Sequence, residues 1–386
     1  MFCTLKDAPI KKGTRVLVCA NLDVAVKDGA IADDFKIREV LSTLKFILQK
    51  GGKARIVSFL GRPGGKVVPH LSMKPIAERT ARLLKQRVVF LSDPFDPGAL
   101  SEYRDAEDIL FFENIRFWPG EEQNSFRFAR DLSRWGDIYI NEAFAHSHRA
   151  HASVSALAQM LPAYAGLQLE KEIRALGALL EKPPRPFVAV LGGAKLETKL
   201  PLIRRFLRDA DKVLVGGALA NTIFALMGNG VGKSAVDVDG SRSCAFLKSK
   251  KLHLSPDAVT ASALAAGVRG EVRAIGAVKP DEYIVDIGPA GRKRFVSLLR
   301  GAKTVVWNGP LGYAEASEFA KGTIVVAKAI RGLDAFTVVG GGDTVAALGR
   351  YKLLKGFSHV STGGGAMLEY LSGKKLPGLE ALKKKR

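Results

Sequence analysis

Hydrophobic positions along the chain follow two rhythms. Short β-branched or apolar runs occur at RVLVC (15–19), ARIVSF (54–59), RVVF (87–90), DILFF (108–112) and DIYI (137–140). A second series follows at FVAVL (187–191), DKVLV (211–215), EYIVDI (282–287), TVVWN (304–308) and FTVVG (336–340). Between them lie amphipathic stretches such as DFKIREVLSTLKFILQK (34–50), where Phe35, Ile37, Val40, Leu41, Leu44, Ile47 and Leu48 mostly keep helical spacing. Strands that alternate with helices predict parallel sheets covered on both faces. The alternation is interrupted near the midpoint by LQLEKEIRALGALLEK (167–182), a helix pattern that PPRP (183–186) must end, because proline lacks the amide donor and forces its predecessor to be extended. The expected fold class is therefore α/β, with two doubly wound parallel-sheet, Rossmann-like domains joined by a helix and hinge. The expected boundaries are 1–166, 167–186 and 187–367. Such sheets bind ligands at the carboxyl ends of their strands.

Length agrees, since 386 residues exceed one typical hydrophobic core. With 47% hydrophobic and 25% charged residues, the composition is that of a soluble globular protein. No run is long enough to cross a bilayer, and MFCTLKDAPIKKGTRV lacks the apolar centre of a signal peptide, so no membrane partner is expected. Cys3, Cys19 and Cys244 are scattered and lack metal spacing, which suits a reducing cytoplasm. The net charge of +21 changes the picture more, because such a field draws anions: nucleic acid, acidic membranes or small phosphorylated metabolites. The basic residues are spread out, apart from the tail LKKKR (382–386), which reads as a solvated end.

Candidate chemistry sits in the loops. Four glycine clusters follow strand patterns in the second half: LGGAK (191–195), VGGALANT (215–222), VVGGGDT (338–344) and VSTGGGA (360–366). Backbone amides at such turns and at helix N-termini offer donors to an anion, and four clusters on one sheet point to a nucleotide-type ligand. Lys195 and Lys199 stand four apart beyond the first cluster and would share a helix face. Asp343, beside the phosphate-binding amides, is a candidate Mg²⁺ ligand. GNGVGKS (228–234) is not a Walker A loop, because Met227 stands where its first glycine belongs.

The first half differs. SFLGRP (58–63), FFENIRFW (111–118) and NEAFAHSHRAHAS (141–153) each follow a strand pattern and put Arg62, Arg116 and Arg149 on one rim, a pocket for a small polyanion. His146, His148 and His151 also raise a zinc reading, which Arg149 inside the motif opposes.

These pieces, with GGALANT, DIGP, VVWNGPLG, HVSTGGGA and LPGLEAL in the same order, resemble phosphoglycerate kinase over nearly the whole chain. The resemblance implies a monomeric glycolytic phosphotransferase, with a phosphoglycerate-binding N-terminal domain and a nucleotide-binding C-terminal domain. Residues 368–386 would pack back on the first domain. It further implies that Gly341, Gly342, Asp343 and Thr344 hold the phosphates of ATP or ADP and their Mg²⁺. Lys195 and Lys199 would contact phosphates, Asn308 would lie beside them, and Glu315 would bind the ribose. Gly342, Gly365, Lys36 and Lys199 would serve the transfer itself. Arg62, Arg116 and Arg149, with Asn21, Asp23, Lys36 and Phe59, would bind 3-phosphoglycerate or 1,3-bisphosphoglycerate.

Departures from the family pattern fall mainly on the acid side. The usual R-V-D-x-N-x-P reads Cys19-Ala20-Asn21-Leu22-Asp23-Val24-Ala25, so an arginine is lost and acid and amide exchange places, although both remain on one strand face. Lys36 replaces an arginine and loses its planar fork, and Phe59 replaces a histidine. On the nucleotide side, Ala218 and Ile284 stand where the family has glycine. The expected reaction is reversible phosphoryl transfer by in-line placement and cationic neutralisation, with hinge closure excluding water. Two rivals are a kinase of the same fold with altered acid specificity or weakened activity, and a non-catalytic basic nucleic-acid-binding protein.

Overall fold

The computed structural model describes residues 2–193 apart from 28 and 32, then 196–237 and 244–383. It divides into two units, Met1–Arg174 with Lys375–Arg386, and Ala175–Lys374. The division falls within one helix, Leu167–Leu180.

The first unit is built on six parallel strands in the order Val88–Leu91, Ile109–Phe112, Lys53–Val57, Arg15–Ala20, Ile138–Glu142, Ala163–Ala165. Arg15–Ala20 and Ile138–Glu142 are buried along nearly their whole length, as strands covered on both faces must be. The helix Phe35–Gln49 turns Ile37, Val40, Leu44 and Ile47 onto the sheet, where they pack with Val16, Val18 and Ile56. The chain's last turn, Pro377–Glu380, belongs to this unit, and the Gly378 amide donates to the Ser147 carbonyl at 2.9 Å.

The second unit carries six parallel strands in the order Leu252–Leu254, Lys212–Val215, Phe187–Leu191, Thr304–Asn308, Phe336–Gly340, His359–Ser361. In each sheet the strand order reverses beside the central strand: between Arg15–Ala20 and Ile138–Glu142 in one, between Phe187–Leu191 and Thr304–Asn308 in the other. Loops leaving such a pair diverge and open a crevice at the carboxyl edge.

One strand corrects the sequence reading. EYIVDI, expected within the second parallel series, forms Tyr283–Ile287 in a separate antiparallel sheet with Asp257–Ala261 and Glu271–Ala274. Its composition resembles the parallel strands, but its partner sheet has a wet side: Val272 is 56% exposed. Antiparallel sheets tolerate such a face.

Candidate active site

In the first unit, four loops leave the carboxyl edge of the sheet and are tied together by hydrogen bonds. The Ser58 hydroxyl donates to the Ala20 carbonyl at 2.8 Å and accepts from the Leu22 amide at 3.3 Å. The Gly61 amide donates to the Asp23 carboxylate at 3.3 Å, and the Lys36 ammonium donates to the Asp23 carbonyl at 2.5 Å. Arg116 donates through Nη1 to the Gly61 carbonyl at 2.6 Å. Asp23, Lys36, Gly61 and Arg116 thus form one connected group, with Arg62 as the exposed next residue. Arg149 is half-buried, with Nε 3.4 Å from His148 Nε2.

Arg116 is 2% exposed. Burial lowers its pKa; Asp23 and Glu121 oppose that, and Arg149 adds to it. Its Nε and Nη2, the Oδ1 of Asn21 and the Nδ1 of His146 are buried without hydrogen-bond partners. Native interiors rarely leave such atoms orphaned. Burial first, then Arg116 and Arg149, push His146 down to about 2 and His151 down to about 4, so both are neutral at pH 7. Among the described residues no three His, Cys, Asp or Glu side chains are grouped to hold a metal ion.

Beneath this surface lies an acid that sequence reasoning missed. Glu121 is fully buried and accepts from the Ser153 amide at 2.9 Å and its hydroxyl at 2.7 Å. Burial pushes its carboxyl up to about 7. Cys19 lies within its electrostatic reach, and burial pushes that thiol up to about 12.

In the second unit, the loops after Phe187–Leu191 and Thr304–Asn308 interlock. The Gly192 amide donates to the Asn308 carbonyl at 2.8 Å, and the Gly193 amide to the Pro310 carbonyl at 3.2 Å. Gly309 has φ +96°, and a Cβ there would stand 2.2 Å from the Gly192 carbonyl carbon. This glycine serves packing. Gly342 is different: it opens the helix Gly342–Arg350, and a Cβ on it would meet nothing within 4 Å. First-turn amides of a helix have no intrahelical acceptor and carry its positive dipole end. Gly341, with φ +100°, turns the chain into that helix.

The Asn308 carboxamide donates to the Gly340 carbonyl at 3.0 Å, and the Thr344 hydroxyl accepts from the Gly309 amide at 2.7 Å. Both side chains brace the loops. Lys199, on the helix Leu196–Asp209, is buried and donates to the Gly192 carbonyl. Desolvation lowers its pKa to about 8, partly opposed by the Asp343 carboxylate. Lys195 lies outside the described residues. Gly365, exposed, opens the short helix Gly365–Leu371.

A cavity of about 200 Å³ adjoins these loops, and its wall includes Gly217, Ala218, Ile284, Tyr313, Glu315 and Asp343. Asp286 also lines it, buried and accepting from the amides of Gly322 at 2.7 Å and Ile287 at 2.8 Å. Burial pushes that carboxyl up to about 7. DIGP was visible as a motif, but nothing in its spacing showed that the acid would brace two loops.

Comparison with known proteins decides the family. The family model for phosphoglycerate kinase matches residues 5–374. This chain belongs to the phosphoglycerate kinase family. It is 41% identical over 387 residues to a phosphoglycerate kinase of Pelotomaculum thermopropionicum, covering 98% of both chains. Its identity to one from Thermus thermophilus is 43% over 384 residues, covering 96% of this chain and 97% of the other. Among solved structures, phosphoglycerate kinase from Coxiella burnetii superposes with a TM-score of 0.86 at 33% identity, covering 99% of both chains. The enzyme from Pyrococcus horikoshii gives 0.87 at 30%, covering 99% of this chain and 98% of the other. The function is that of a glycolytic phosphotransferase, phosphoglycerate kinase, which uses ATP and ADP as substrates. Neither the nucleic-acid-binding reading nor the kinase of altered specificity gains from these matches. No helix among the described residues is long and apolar enough to cross a membrane.

Proposed function

We propose that the two units divide the family's substrates. The glycine-lined edge of the second unit takes ADP or ATP, and the arginine-lined edge of the first takes 3-phosphoglycerate or 1,3-bisphosphoglycerate. One observation carries this reading: each edge holds a buried cation whose hydrogen bond goes to a backbone carbonyl, Arg116 to Gly61 and Lys199 to Gly192. A buried cation held that way is expensive for the fold, and an anionic ligand offsets the expense.

In this reading the amides of Gly342, Asp343 and Thr344 cradle nucleotide phosphates, with Lys195 and Lys199 beside them and Glu315 at the ribose. Arg62, Arg116 and Arg149 clasp the acid, with Asn21 and Asp23 near its polar groups. Lys36 of the first unit, and Lys199, Gly342 and Gly365 of the second, are the residues this reading assigns to the transferring phosphoryl group. Neutralising the equatorial oxygens while holding nucleophile and leaving group in line supplies most of the catalysis. Because each unit takes one ligand, transfer requires closure, which the reading assigns to the 167–186 helix and hinge.

Mg²⁺ fits this donor set. Asp343 is one exposed carboxylate beside phosphate-binding amides, and Mg²⁺ commonly takes one protein carboxylate, phosphate oxygens and water. Bound there, it would neutralise phosphate charge. A monomer working in the cytoplasm completes the proposal.

The test is turnover coupled to glyceraldehyde-3-phosphate dehydrogenase. Saturable consumption of NADH that requires ATP, 3-phosphoglycerate and Mg²⁺ is expected. A folded preparation without such turnover overturns the proposal. Arg116→Lys should raise KM for 3-phosphoglycerate and leave that for ATP unchanged.

A further inference from the structure

Arg116 is an unusual buried cation. A guanidinium carries five N–H donors, and here Nη1 bonds the Gly61 carbonyl while Nε and Nη2 have no hydrogen-bond partner. The nearest carboxylate paired with it, Glu122, is 4.0 Å from Nε, beyond hydrogen-bond distance. One hydrogen bond does not fix the plane of a group with several rotatable bonds. A second restraint is present: Cζ of Arg116 lies 4.7 Å from the centroid of the Phe59 ring. Phe59 is fully buried and is itself backed by His146, whose ring centroid is 3.7 Å away at an interplanar angle of 49°. Guanidinium, phenyl ring and imidazole thus form a packed series of three. The imidazole is neutral, so it supports the ring without adding a competing charge.

We infer that Phe59 is a positioning residue for the acid substrate: its ring face fixes the plane of the Arg116 guanidinium, whose Nε and Nη2 are buried and unpaired, at the arginine-lined edge. This rests on the assignment of 3-phosphoglycerate to the first unit. A desolvated cation over an aromatic face is attracted by the ring quadrupole, and the attraction survives in an apolar setting where water does not compete. The ring offers no hydrogen bond, so it orients the guanidinium without consuming its donors. Apolar packing at this position would keep the volume and lose the orientation.

The experiment replaces Phe59 with mono-, di- and trifluorinated phenylalanine, which nearly keep the shape while draining the ring face of negative potential. Binding of 3-phosphoglycerate and of ADP to the full chain is measured by calorimetry, with thermal unfolding alongside. The expected result is a stepwise rise in Kd for 3-phosphoglycerate along the series, with Kd for ADP and Tm unchanged. Phe59→Leu should weaken 3-phosphoglycerate on the order of tenfold and raise its KM more than it lowers kcat. Equal 3-phosphoglycerate affinity across the fluorinated series overturns the inference and leaves the substrate assignment standing. Failure of the wild-type chain to bind 3-phosphoglycerate overturns that assignment, and this inference with it.

Discussion

If the second unit takes the nucleotide as proposed, Lys199 should link that binding to protons in a way that can be measured. Its ammonium is buried against the Gly192 carbonyl, and desolvation brings its pKa down to about 8, with Asp343 pulling the other way. The sign follows from the charges. Without ligand, raising the pH through 8 discharges the lysine; a bound polyphosphate favours the ammonium and lifts the pKa again. Nucleotide binding should therefore take up a proton, about half an equivalent at pH 8, about 0.9 at pH 9 and under about 0.1 at pH 7. Affinity should fall with pH in step, roughly tenfold weaker at pH 9 than at pH 7. Terminal phosphates are already ionised above about pH 7, so the ligand contributes little. The assay is calorimetric titration of ADP at pH 8.5 in buffers of contrasting ionisation enthalpy, where the dependence of observed heat on buffer gives the proton count. Lys199→Met should abolish the uptake and weaken binding. Binding without uptake from pH 7.5 to 9, or uptake unchanged in the variant, would refute the reasoning.

Other outcomes follow from the same geometry. Gly309→Ala forces a side chain onto a residue at φ +96° with a Cβ 2.2 Å from backbone, so folding yield or Tm should drop sharply. Gly342→Ala places its methyl in open space, so Tm should hold while KM for nucleotide rises. Glu121 has its folded-state pKa raised by burial to about 7, so the folded state keeps a proton that the unfolded chain sheds near 4.5. Stability from this group is therefore greatest below 4.5 and is lost as pH rises through 7, by on the order of 3 kcal/mol. Urea unfolding of Glu121→Gln should show a flatter decline over that window than wild type. Lys36→Ala should lower kcat by roughly 100-fold with KM for ATP unchanged, read from the coupled assay.

Strands buried on both faces were the most legible elements. Phe187–Leu191, Thr304–Asn308 and Phe336–Gly340 coincide with their apolar runs, because dense β-branched sequence and complete burial go together. Three edge strands were not legible, since Ala163–Ala165, Leu252–Leu254 and His359–Ser361 have three residues each, too few to show a period, whereas the edge strand Val88–Leu91 was visible as RVVF. The misplaced Tyr283–Ile287 shows a second limit, since a short apolar run does not report which sheet receives it. At the site, glycine clusters and arginines announced anion chemistry through residue type alone. Their commitments were hidden, because these depend on contacts far apart in sequence: Thr344 with Gly309, Arg116 with Gly61, Phe59 with His146. Glu121 was invisible for the same reason. Nothing in a glutamate's neighbours along the chain says that Ser153 will bury it. The structure offers no explanation for Ala218 and Ile284 beyond their place on the cavity wall.

The central claim is that two separate cation-bearing edges each take one anion. A paired calorimetric titration of 3-phosphoglycerate and ADP into Arg116→Met and Lys199→Met tests it most directly. The account predicts that the first variant loses affinity for 3-phosphoglycerate alone, by tenfold or more on the order expected for a buried charge contact, and that the second loses affinity for ADP alone. Unchanged affinities in both variants, or equal loss of both ligands in either, would contradict it.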